Sequence, residues 1–306
     1  MGIGIFTGAI DNTSKEIFYG LIRFDDSIIH SIVWEIRMPR IGVSLLAGCC
    51  LGLAGLLVQF STRSQLGDPN LFGIGGGAAI FLASIYAGIV TCPQVVVWIG
   101  SLACSVTIAL LLSRLIATPD VSPIKFVIIG IAVGALTVSI GVSIVSYGRV
   151  FPTQLIGLIA GSFTSSTWTI FWHLLLTINI CAAGTILISK TFYPIMLGDV
   201  VSRSLGVNPI TNRYLTMTLV GILTGASVYA GGIIGFVGLI APHMSRILFG
   251  NSIPHMIGGS IILGGLLTLS SDQLTRLLFA PTEFPVGMAT TIIGAPLIIY
   301  LALRMK

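Results

Sequence analysis

Residues 230–246 read AGGIIGFVGLIAPHMSR and lie inside an apolar run, 214–249, whose one charge is Arg246. That run is 36 residues long, whereas a single helix crossing the hydrocarbon core of a bilayer needs about 20. It therefore holds two helices, folded back on each other where Gly231, Gly232 and Gly235 loosen the chain. A hairpin so poor in charge and rich in glycine belongs inside a packed bundle of membrane helices.

The composition agrees. Of 306 residues, 55% are apolar and 8% charged, with a mean hydropathy of +1.03; a soluble domain carries about 25% charged residues. The expected fold class is an all-α polytopic membrane protein built as a multi-helix bundle. The net charge of +5 comes from basic residues scattered singly along loops. No Lys/Arg-rich run is available to grip a phosphate backbone, so nucleic acid is not an expected partner, whereas membrane lipid is. Cys49, Cys50, Cys92, Cys104 and Cys181 show no ligand-like spacing and read as small packing residues.

Outward from the hairpin, full spans are expected near 40–60, 71–90, 93–113, 124–147, 168–189, 214–231, 234–249, 256–276 and 285–304. A helix too short to cross follows Pro152, near 153–162. Residues 1–10 are apolar but shorter than a span, and lack the charged flank and cleavage site of a signal peptide. They read as the tail of a truncated first helix, followed by an acidic, amphipathic periplasmic segment to residue 36. The transmembrane domain then covers 37–306, and Pro39 suits a helix start. Its longest polar insertion is 190–213. Basic residues outnumber those of the opposite side on the loops that share a side with the C-terminus, which makes that side cytoplasmic. Small residues four apart, Gly48/Gly52, Gly130/Gly134, Gly157/Gly161 and Gly221/Gly225, offer close helix packing.

The missing chemistry is as informative. There is no GxxxxGK[ST] phosphate loop, and no set of side chains spaced for acyl transfer or metal binding. His173 and His243 stand near span ends without a second ligand. Asp272 is the one acid placed inside a span, four residues before Arg276, and reads as a local ion pair. Ion-coupled carriers keep carboxylates or broken helices near the midplane. No catalytic residue, metal ligand or cofactor is expected. The chain reads as a pathway without an engine, a subunit that takes its energy from a partner.

Several stretches in order then resemble the FecCD-type permease family of type II ABC importers. They are Arg37-Met-Pro-Arg40, residues 46–55 with Gln59, GDPNLFG (67–73), LGDVVSRSLGV (197–207), GGIIGFVGLIAPHMSR (231–246) and 280–296, which carries EFPVGMATTIIGAP. The resemblance implies a ten-helix permease that pairs as a homodimer, or as a heterodimer with a second permease. Two ABC ATPase subunits would dock inside, and a periplasmic or lipid-anchored substrate-binding protein outside. The setting would be a bacterial or archaeal cytoplasmic (inner) membrane, with ATP hydrolysed by the partner chain. The cargo implied is a metal chelate, first a ferric siderophore, with haem or cobalamin as alternatives; an ion-coupled secondary transporter is the competing class.

Residue roles follow from the same resemblance. Arg37, Arg40 and Arg276 would meet carboxylates of the binding protein. Leu197, Gly198, Asp199, Ser202, Arg203, Leu205 and Gly206 would form the segment that couples to the ATPase. Ser64, Leu66, Pro123 and Ile124 would close the cytoplasmic mouth, although Ser64-Gln65-Leu66 stands where the family commonly has Asn-Pro-Leu.

Overall fold

The structure is a computed structural model that describes residues 28–116, 123–148, 152–278 and 284–304. Every regular element among them is a helix, the form that satisfies its own backbone groups where no water can. Residues Ile28–Ser31 make one helical turn, Ile32–Arg37 continue it with π winding, and α1 (Met38–Thr62) follows unbroken. The first helix thus opens well ahead of the boundary expected near residue 40. Pro39 lies within this continuous helix rather than at its start. Its ring would crowd the carbonyl one turn back; the wider turn, in which the Met38 N–H reaches back to the Val33 carbonyl, leaves it room.

After α1 come α2 (Ile74–Tyr86), α3 (Gln94–Ile116), α4 (Pro123–Tyr147), the short α5 (Pro152–Ala160) and α6 (Trp168–Met196). Then follow a six-residue helix, α7 (Asp199–Ser204), and α8 (Pro209–Gly231), α9 (Val237–Phe249), α10 (Ile253–Leu278) and α11 (Val286–Arg304). Helices occupy all nine of the expected spans, and six of them are long and apolar enough to cross a membrane. However, α2 and α9 have only 13 residues each, about 20 Å at 1.5 Å per residue, short of the ~30 Å hydrocarbon core. Both are half-helices. Both open behind a left-handed residue, Gly73 (φ 73°) and Phe236 (φ 70°).

The hub is α1. Its most apolar stretch is 83% buried, against 22% for α3 and α4, and it packs on α10, α8, α9 and α6. Glycines make that crowding possible. A Cβ at Gly48 would overlap the carbonyl oxygen of Gly264, one at Gly52 that of Ser260, and one at Gly55 that of Gly238. Backbones therefore touch where van der Waals packing has to replace a hydrophobic drive. Gly221 and Gly225 serve likewise against Val106, Ser101 and Leu102 of α3. Gly157 and Gly161 do not form such a seam: Gly161 lies past the end of α5 in a left-handed turn (φ 76°).

Direction is fixed by two contacts. At one end Trp168 Nε1 donates to the Trp34 carbonyl at 2.8 Å and the two indoles stack, so α1 and α6 start side by side. At the other, Arg63 just beyond α1 reaches the Ile195 carbonyl near the end of α6. Arg40 and Arg63 therefore sit near opposite ends of one helix, about 35 Å apart.

Candidate functional site

The segment after α6 is built to stand out from the bundle. Pro194 lies in the last turn of α6, and Gly198 breaks the chain at φ 115°, with open space where its Cβ would be. Asp199 then starts α7, where a carboxylate complements the positive end of the helix dipole. Two guanidinium groups bracket it. Arg63 Nη2 donates to Asp199 Oδ1, and Arg213 Nη2 lies 3.5 Å from the same oxygen. Val200 is 84% and Leu205 59% exposed, with Leu197 and Val201 also outward, and Arg203 and Gly206 are exposed beside them.

Ser202 is the exception among the expected coupling positions. It is fully buried, and its hydroxyl donates to the carbonyls of Pro194 (2.9 Å) and Gly198 (2.8 Å). Ser202 thus fastens α7 to α6 and offers nothing to a partner. Val200, absent from the expected set, presents the most apolar exposure of the segment. Its signal in the sequence is the adjacent pair Val200-Val201 in an otherwise polar loop.

Residues 63–73 connect α1 to α2, and they are tied down along their length. Ser64 Oγ accepts the Leu66 N–H at 3.3 Å, closing a local turn at the expected gate. The gate's other half begins α4 at Pro123 and Ile124, whose side chains lie outside the described residues. Arg246 of α9 donates to Gln59 Oε1 at 2.6 Å, and Gln59 Nε2 faces the Gly67 carbonyl at 3.5 Å. Asp68 is only 1% exposed. It accepts the N–H groups of Asn70 (2.9 Å) and Leu71 (3.1 Å) ahead of α2, and faces those of Gly238 and Leu239 in the first turn of α9, where a Cβ on Gly238 would come within 3.0 Å of Oδ2. Asn70 Nδ2 completes the link by donating to the Ile234 carbonyl at 2.7 Å. One acid thus joins the openings of both half-helices. Burial raises its carboxyl to about 6, against the opposing pull of the backbone N–H groups around it.

At the opposite end of α1, Arg40 donates from Nη2 to Asp272 Oδ1 at 2.8 Å and from Nε to both carboxylate oxygens at 3.2 Å. Asp272 has no exposed surface and Arg40 only 8%. One expectation changes: Asp272 gives both oxygens to Arg40, from the far end of the chain, where a partner one turn away was anticipated. Arg40, expected at the docking face, spends its Nε and Nη2 donors on that carboxylate. Arg37, at 4% exposure, is also turned inward, whereas Arg276 is half-buried.

His173 stacks flat on Trp98, with centroids 4.5 Å apart, and its Nδ1 lies 3.2 Å from the Tyr229 hydroxyl. Among the described residues no three His, Cys, Asp or Glu side chains are grouped to hold a metal ion.

The opening hairpin forms one wall of an apolar groove. Ser162 N–H bonds the Gly231 carbonyl at 2.9 Å, Ile233 N–H that of Leu158 at 2.9 Å, and Val286 N–H that of Gly161 at 3.0 Å. These bonds knit the end of α5, the 232–236 connector and the start of α11 together. Ile159, Ile233, Phe284, Met288 and Ile292 line the groove, with no charged side chain among its described walls.

The FecCD transport family model matches residues 1–304. The iron-uptake system permease protein FeuB of Bacillus subtilis (strain 168) is 31% identical over 319 residues, covering 99% of this chain and 91% of FeuB. The hemin transport system permease protein HmuU of Yersinia pestis is 32% identical over 296 residues, covering 92% of this chain and 86% of HmuU. A solved inward-facing metal-chelate type ABC transporter superposes with a TM-score of 0.80 at 24% identity, covering 99% of this chain and 96% of its own, and shares the fold. Matched over nearly its whole length and carrying, among its described residues, six apolar helices long enough to cross a membrane, this chain is a multi-pass membrane protein of the FecCD transport family.

Proposed function

We propose that this chain is the permease subunit of an ABC importer for a ferric chelate, first a ferric siderophore. The observation that carries the reading is α7, a six-residue helix held off the bundle by Gly198 with Val200 and Leu205 bare. Exposed apolar residues on so small an element suit a protein partner. The partner would be the ATPase, one copy for each of two permeases paired as a homodimer or heterodimer. That end of the bundle would be cytoplasmic, and the C-terminus with it. The Arg40 end would face outward, where Arg276 is the best placed of the three arginines to meet a carboxylate of a substrate-binding protein; rim charges of this kind steer and orient docking. The groove walled by α5, the connector and α11 would line part of the path, and its apolar described walls suit a chelate whose metal is wrapped in an organic shell.

Reconstitution in liposomes with cognate ATPase and binding protein tests the whole reading. ATP-dependent accumulation of a ferric siderophore is expected, and none with this chain alone under a proton or sodium gradient. Accumulation driven by an ion gradient without ATPase would overturn it. Uptake of haem or cobalamin in place of the siderophore would keep the importer and change the cargo. Arg276→Glu is expected to weaken docking of the binding protein while the ATPase still co-purifies.

A further inference from the structure

We propose that Arg63 is a positioning residue that ties the coupling helix α7 to the 63–73 loop, so that displacement of α7 is passed to the openings of both half-helices. The proposal rests on α7 being the ATPase-docking element. Its own argument is geometric and begins with the backbone. Arg63 is one of two described non-glycine residues with a positive φ (53°), a conformation L-residues avoid unless their surroundings hold them there. Here the side chain does the holding. Nε donates to the Ile195 carbonyl at 2.7 Å and Nη2 to the Asp199 carboxylate, so one planar fork spans both sides of Gly198.

That glycine is the pivot on which α7 hangs, and it meets nothing within 4 Å of where a Cβ would be. Without Arg63 the pivot would retain as restraints the bond from Ser202 of α7 to the Pro194 carbonyl of α6 and the approach of Arg213 of α8 to Asp199, and neither involves the loop. From Arg63 the loop runs five residues to Asp68, which binds the first turn of α9 and the approach to α2. A rigid fork that satisfies a carbonyl and a carboxylate together is a task for arginine; the ammonium of lysine is a single point.

The test uses the complete complex of permease, ATPase and binding protein, with transport per ATP hydrolysed as the readout. A merely structural residue would lower transport and hydrolysis in parallel and leave that ratio alone. Arg63→Gln is expected to lower the ratio by about fivefold or more. If Arg63 acts through Asp199, the double variant Arg63→Gln/Asp199→Asn falls no further than the worse single one. An unchanged ratio, or losses that multiply, would overturn the proposal. Should Arg63→Gln fail to assemble, Arg63→Lys decides: a lowered ratio supports the fork, and a wild-type ratio refutes it. Val200→Glu separates the two layers of the argument. Release of the ATPase by Val200→Glu, with an unaffected ratio in Arg63→Gln, defeats only this inference. Full ATPase binding and transport by Val200→Glu defeats the docking reading and this proposal together.

Discussion

Two Arg–Asp pairings mark the ends of α1, and they differ in almost every physical respect. Arg40 and Asp272 lie buried and doubly bonded, joining the start of α1 to the C-terminal half of α10. Arg63 and Asp199 keep 30% and 44% of their side chains exposed, and join a loop to a short helix hung on glycine. A buried pair is costly to break because the remaining charge has nowhere to go. An exposed pair can part and re-form with water as a substitute, and adds little to stability. One end of the hub helix is clamped; the other is articulated. A transporter that takes work in at one face while a partner docks at the other needs this asymmetry.

The largest effect should come from the clamp. Asp272→Ala leaves the Arg40 guanidinium buried without its carboxylate and is expected to destabilise by about 3–5 kcal/mol, seen as a large fall in thermal unfolding temperature in detergent. A loss under 1 kcal/mol would mean the clamp is not one. Asp68→Asn comes next. It keeps the shape but removes the charge from four backbone donors, at about 1.5–3 kcal/mol, and should speed hydrogen exchange at the starts of α2 and α9 together. Exchange rising in only one of them would separate what Asp68 is said to join. Gly55→Ala forces α1 away from Gly238 at about 1–3 kcal/mol; a variant as stable as wild type would show that the seam is loose. The smallest stability change belongs to Asp199→Asn, below about 1 kcal/mol, combined with impaired transport. That dissociation of stability from function is the signature of the articulated end.

Much of this was readable in the residues. The nine apolar stretches are helices because hydropathy reports burial from water, and so does a membrane. The lengths of α2 and α9 were not readable, because LFG (71–73), AGIV (87–90) and GIIGF (232–236) stay apolar while the backbone is not helical there; hydropathy cannot see a break that Asp68 and Asn70 satisfy from a distance. Asp272 misled for a similar reason. Spacing along one helix favoured Arg276, whereas its partner lies 232 residues away in the chain, and only packing could bring it there. In the segment 197–206 the break in the helix was legible from Gly198 and the facing of the side chains was not. Ser202 points inward, where its hydroxyl adds a second bond to the Pro194 and Gly198 carbonyls, which already accept the N–H groups of Leu197 and Ser202.

The tie made by Asp68 also bears on how the protein is made. Its carboxylate is synthesised 170 residues before Gly238, an interval of about 10–30 s at ordinary translation rates. Throughout that time the loop ahead of α2 has emerged from the ribosome with half of its donors still untranslated. A free acid at that place favours water, so α2 has reason to wait at the membrane surface until α9 arrives. The order of insertion would then depart from the order of synthesis, and a chaperone or insertase that shelters residues 63–86 would have a task set by a single aspartate.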